Sequence, residues 1–217
     1  MSIEFSRRSV RRPSHDYAGP GAWLITLKCF AGLHSFGEVV DKRMVLNPVG
    51  ALVESIWQSV PEHHPTVHFD SFVVMPNHMH MLLRLFRSDD RLRLDADRVE
   101  RFGKPVPGSV STIIRSFKSE ATRQVRVQVG RPVQLWQSRF DDRCLPDDDA
   151  IRRARIYIEN NPARWRTTPA RPQQRKYQLL DVGTGCELAV AVIDKDQPDP
   201  VDPVDPVDPV GTRRAAS

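Results

Sequence analysis

Residues 73–83 read VVMPNHMHMLL, an apolar run that carries two histidines one residue apart. Successive side chains of a strand point to opposite faces. His78, His80 and Leu82 therefore share one face, and Met79, Met81 and Leu83 the other. Two imidazoles side by side lose hydration and need partners. Carbonyls or water would make the pair structural; a bound metal ion would make both ligands, given a third donor and chemistry nearby. A second constellation lies in ARIYIENNPARW, where Tyr157 and Asn161 are four residues apart. On a helix that spacing puts them on one face, one turn from each other. The phenol there is either a ring packed on a sheet with its hydroxyl at the rim, or a nucleophile beside a phosphate. The chain has 3 tyrosines, so the only other candidates are Tyr17 and Tyr177.

Alternating elements must position these groups. Residues 23–30 (WLITLKCF) read as a strand. In residues 47–60, NPVGALVESIWQSV, a capping Asn and a Pro at the first helical position precede apolar residues at helical spacing. Strands follow over 66–75 and 78–86, joined by a Pro76-Asn77 turn. Residues 88–108 are charged and rich in Gly and Pro, as a loop or insertion would be. A second helix is expected over 109–129, burying Val110, Ile113, Ile114, Phe117, Ala121 and Val125. Its other face carries Arg115, Lys118, Thr122 and Arg126. Residues 133–145 read as one strand around Trp136. Asp147, Asp148 and Asp149 then open a third helix, acids at its positive end, running to about Asn161 and stopping before Pro162. The order β-α-β-β-α-β plus a last helix predicts an α+β fold, a ferredoxin-like split βαβ sandwich with an antiparallel sheet and helices on one face.

Charge separates the chain into a basic body and an acidic end. Residues 181–217 hold eight acids and three bases; of the 32 bases and 27 acids in all, 29 and 19 therefore fall in residues 1–180, a net +10. A body this basic points to partners that bear phosphate. No run of eighteen apolar residues exists for a membrane span, and the basic start lacks the apolar stretch of a secretory signal. Cys29, Cys144 and Cys186 are odd in number and lack CxxC spacing, as expected of free thiols in the cytoplasm. In DPVDPVDPVDPV (199–210) Pro at every third position excludes helix and sheet ladders, so the tail is expected to be disordered and polyproline-like. The predicted organisation is a basic arm (1–16), a body (17–180) interrupted at 88–108, and an extension (181–217), in which 182–194 is a candidate extra strand.

HMH after an MPN turn, the segments RSFKSEATR and WQSRFDDRCL, and the helix end YIENNPARW together resemble the REP-associated tyrosine transposases. These belong to the single-tyrosine branch of the HUH endonucleases, insertion-sequence transposases acting on single-stranded DNA. The opening GPGAWLITLKC is similar to that family's first strand, and the resemblance runs over roughly residues 17–166. It implies that His78 and His80 hold a divalent metal, Mg²⁺ or Mn²⁺, with Asn161 completing the site, and that Tyr157, on a catalytic last helix, is the nucleophile. It further implies a 5′-phosphotyrosine intermediate and a free 3′-hydroxyl, on single-stranded DNA folded as a short hairpin. A phenol with a pKa near 10 needs such help. Arg115, Lys118 and Arg126 of the second helix, with Arg152, Arg153 and Arg155 of the third, become candidate DNA-backbone contacts. The implied enzyme is a monomer or a homodimer. Two alternatives stand beside it: a non-catalytic hairpin-binding protein that keeps the fold, and an unrelated metallohydrolase, against which the lack of further HxxE or HxD clusters argues.

Overall fold

Asn47, Ser109 and Asp147 each stop a non-helical stretch by the same device. Their side-chain oxygens accept from the backbone N–H three residues on, Gly50 at 2.8 Å, Thr112 at 3.2 Å and Ala150 at 2.7 Å. They start α1 (Pro48–His63), α2 (Val110–Val129) and α3 (Asp148–Glu159). The computed structural model describes residues 20–64, 67–86 and 107–166, and the backbone of 177–181 and 187–192. The arm 1–16, nearly all of the 88–108 segment and the DPV repeat lie outside the described residues.

The strands are β1 (Gly21–Lys28), β2 (Gly37–Val40), β3 (Arg43–Leu46), β4 (Val67–Met75), β5 (His78–Leu85), β6 (Val133–Gln134), β7 (Asp141–Leu145), β8 (Tyr177–Asp181) and β9 (Glu187–Val192). The main sheet has the order β4-β5-β1-β7, and every neighbouring pair in it is antiparallel. The strands that α1 connects, β1 and β4, are separated by β5, which is the split βαβ arrangement. The fold is thus the α+β, ferredoxin-like one expected.

Period 2 sorts the two faces. Trp23, Ile25 and Leu27 of β1 and Met79, Met81 and Leu83 of β5 pack against Val53, Ile56 and Trp57 of α1 and Ile113, Ile114 and Phe117 of α2. Trp57 ties both layers, meeting Phe69 at 4.8 Å and Phe117 at 4.9 Å between ring centroids. The opposite face carries Ala22, Leu82 and Leu145, and α3 covers it with Ala150, Ile151, Ala154 and Ile158. The third helix therefore closes the face that α1 and α2 leave open.

Two expectations are corrected. Residues 133–145 do not form one strand: after β6, Trp136 bridges Cys29 and Gln137 N–H donates to Lys28 O, so the chain follows the end of β1 before β7 begins. The third helix ends at Glu159, where Asn160 caps it with its N–H on Ile156 and its side chain on the same carbonyl. Pro162 then sits in the first turn of a new short helix, α4 (Asn161–Arg164), where its missing N–H costs nothing. Tyr177 begins β8, a strand paired with β9. The β2–β3 hairpin was not anticipated; Asp41 and Lys42 turn it with φ of 48° and 64°.

One ion pair fixes α3 to the sheet edge. The pairing of β4 slips between Phe69 and Ser71, and Asp70 at that bulge receives Arg155 Nε and Nη2, each at 2.5 Å. The Asp70 side chain is 4% exposed and the Arg155 side chain 41%. Arg155→Met, which strands a buried carboxylate, is expected to lower the urea midpoint more than Asp70→Asn, whose loss leaves Arg155 free to turn to water. The Arg155 hydrogen bonds hold the Asp70 carboxyl below its ordinary range. That contribution is complete above the unfolded carboxyl's pKa of about 4 and is lost as pH falls through the depressed one. The gap between parent and Asp70→Asn should therefore close in acid; a constant gap would show that the pair is not the cause.

Candidate active site

The register of β1 on β5 sets the site. Thr26 lies opposite His80 and Lys28 opposite His78, all on the face that α3 covers. His80 is 6% exposed, and its ring meets that of His78 edge-on at 4.6 Å. Thr26 Oγ1 stands 2.9 Å from His80 Nδ1, and Tyr157 Oη stands 3.1 Å from His80 Nε2. The His78 ring is fixed by Asn77, whose Oδ1 lies 2.7 Å from Nδ1. Asn161, 9% exposed, also hydrogen-bonds His78.

Tyr157 and Asn161 reach the histidines by different routes. Tyr157 stands in the last turn of α3, half exposed, while Asn161 is the first residue of α4 after the break at Asn160. The single continuous helix face expected for them is therefore absent, yet each meets one member of the pair.

Burial keeps both rings neutral. It is the largest cause holding His78 at about 4, with the Lys28 charge adding to it. Burial, then His78, then Lys28 hold His80 at about 3. A carboxamide oxygen can only accept, so His78 carries its proton on Nδ1 and presents a lone pair on Nε2. His80 is flanked by hydroxyls on both nitrogens, and either tautomer is satisfied there.

These donors fit a divalent ion. Two neutral imidazoles whose Nδ1 atoms are held by other groups leave Nε2 atoms to coordinate. The Asn161 amide stands beside His78, and among the described residues no three His, Cys, Asp or Glu side chains cluster, at this site or elsewhere. A site of this kind suits Mn²⁺ better than Mg²⁺. The Tyr157 hydroxyl occupies the His80 nitrogen that such an ion would use, so the two contacts exclude each other.

Sequence reading missed four neighbours: Thr26, Asn77, Lys28 and Trp165. Trp165 follows α4 and stands 5.9 Å from the His78 ring and 5.7 Å from His34. Alternation along β1 placed Thr26 and Lys28 on one face, but nothing in the sequence paired that face with the histidines. Asn77 reads only as a turn residue.

The candidate DNA contacts are not gathered in one place. Arg115, Lys118 and Arg126 ride on α2, across the sheet from the histidines. There Lys118 Nζ donates to Gln137 O at 2.6 Å and to Ser138 O at 3.2 Å, and Arg126 Nε to Val133 O at 3.1 Å. On α3, Arg152 pairs with Asp149 and Arg155 with Asp70. Arg115 and Arg153 are exposed.

No family model matches the chain. An uncharacterised protein of Haemophilus influenzae is 28% identical over 162 residues, covering 73% of this chain and 89% of that protein. A solved structure of a REP-associated tyrosine transposase bound to a REP hairpin is similar with a TM-score of 0.47 and 20% identity, over 72% of this chain and 73% of that one. A crystal structure of a candidate transposase from Deinococcus radiodurans R1 is similar with a TM-score of 0.38 and 14% identity, over 69% and 97%.

Proposed function

We propose that this chain is a single-tyrosine HUH transposase of the REP-associated kind, which cleaves and rejoins single-stranded DNA folded as a hairpin. The observation that carries the reading is the Tyr157 hydroxyl at 3.1 Å from Nε2 of the buried His80, whose ring meets that of His78. The Tyr157 hydroxyl, the two imidazoles and the Asn161 amide, contributed by α3, β5 and α4, support it. The sequence resemblance assigns these same residues to that chemistry.

In the proposed reaction Tyr157 Oη forms a bond to the scissile phosphorus and the P–O3′ bond breaks. The phenol gives up its proton and the departing 3′-oxygen takes one up. The product is a 5′-phosphotyrosine and a free 3′-hydroxyl, so the phosphoester is kept for rejoining. Thr26 and Asn77 orient the imidazoles, and the packing of α3 on Leu82 places the tyrosine. Bound by His78, His80 and Asn161, Mn²⁺ or Mg²⁺ would supply Lewis-acid charge to the non-bridging phosphate oxygens. The enzyme is proposed to work in the cytoplasm, as a monomer or a homodimer.

The test is incubation of the protein with end-labelled single-stranded hairpin DNA and Mn²⁺, followed by a denaturing gel. A covalent adduct is expected. Tight hairpin binding with no adduct would favour the non-catalytic hairpin-binding protein instead.

A further inference from the structure

We propose that Lys28 is a substrate-contacting residue of this site, its ammonium binding the scissile phosphate alongside the Tyr157 hydroxyl. The inference rests on the proposed strand cleavage and adds to it a charge that the sequence reading did not include.

The geometry begins with β1. Lys28 is its last residue, directly opposite His78 and two residues from Thr26, which holds His80. Cβ atoms of directly paired residues lie about 5 Å apart, so the Lys28 stem rises from the sheet next to the His78 ring. Its side chain is 38% exposed, open to a ligand arriving at the rim.

The charge balance of the centre points the same way. Asn161 is an amide, and Thr26, Val73 and Met75, paired with the two histidines across β1 and β4, carry no charge. A phosphodiester carries a full negative charge and gathers more on its oxygens in the transition state. Lys28, directly opposite His78, is the cation among the strand residues paired with the two histidines.

The Asp141 pairing of Lys28 can be exchanged. Asp141 Oδ2 stands 3.2 Å from Lys28 Nζ, and the Asp141 side chain is 69% exposed on the edge strand β7. An ion pair this wet holds its members weakly. A phosphate at the Tyr157 hydroxyl would take Lys28 from it at little cost, while the carboxylate turns to water.

Two measurements test this with the full chain. In the first, adduct formation on hairpin DNA with Mn²⁺ is expected to slow by about 100-fold in Lys28→Met, the scale of losing one charged donor to a reacting group. Lys28→Arg should recover most of the rate. In the second, done in EDTA, each protein binds the same hairpin with either an ordinary phosphate or a neutral methylphosphonate at the scissile position. The parent should bind the neutral form several-fold more weakly, and Lys28→Met should bind both forms alike. Parent-like adduct formation in Lys28→Met, or a methylphosphonate penalty undiminished in that variant, overturns the proposal. Should the parent form no adduct, the strand-cleavage reading fails, and the binding comparison alone still decides whether Lys28 meets the phosphate.

Discussion

Tyr157→Phe is expected to abolish both the covalent adduct and strand cleavage while leaving hairpin binding within about twofold of the parent. The substitution removes one oxygen and keeps the ring that meets His80 edge-on at 5.0 Å. The hydroxyl makes one hydrogen bond at a half-exposed position, so stability should shift by about 1 kcal/mol or less. Tyr157 is the tyrosine whose hydroxyl meets the histidines; Tyr177 begins a strand that pairs with β9, and Tyr17 lies outside the described residues. The effect on catalysis is therefore all or none. Peptide mass mapping of the parent adduct checks it from the other side. Attachment at Tyr17 or Tyr177, or an adduct surviving in Tyr157→Phe, would reassign the nucleophile. The same variant has a second expected effect, opposite in sign. Freed of the phenol, His80 Nε2 should take Mn²⁺ about fivefold more tightly, the equivalent of that one hydrogen bond. Calorimetric titration without DNA measures it.

The strand alternation around HMH disclosed which face each side chain takes, and the structure follows it, with Met79, Met81 and Leu83 under α1 and α2 and Leu82 under α3. Helix starts were equally legible because Asn47, Ser109 and Asp147 are caps with a local mechanism. What stayed hidden depends on partners distant in sequence. Arg155 reads as a free cation until β4 presents Asp70, 85 residues away, at a bulge that no composition signals. Thr26 meets His80 across 54 residues. The β2–β3 hairpin lacked its usual mark, since Asp41-Lys42 turns it without the glycine that positive φ favours. The helix break before Pro162 was expected, but not that the proline would begin a new turn that seats Asn161 on His78.

Replacing both histidines, His78→Ala with His80→Ala, is expected to remove Mn²⁺ binding and cleavage together and to spare DNA affinity. The pair carries no charge at neutral pH, because burial holds both rings well below their ordinary pKa. Its loss therefore leaves the Coulombic attraction for DNA intact, and the salt dependence of hairpin binding should keep its slope. Mn²⁺ affinity should fall by more than about 100-fold, beyond the effect of a lost second-shell partner. Stability is the point at which this experiment can mislead. His80 is 6% exposed and satisfies the hydroxyls of Thr26 and Tyr157, so its removal should cost about 1–3 kcal/mol. His78 is held by Asn77 at the turn and is less deeply set, so its single replacement should cost less. Thermal melts of the two single variants separate the contributions. His78→Ala alone should lose Mn²⁺ binding and cleavage with a melting temperature close to the parent's, which isolates ligand chemistry from packing. If His78→Ala retains cleavage while melting normally, the pair is structural and the metal must be held elsewhere. If Mn²⁺ binding survives in the double variant, the ligands are other residues altogether.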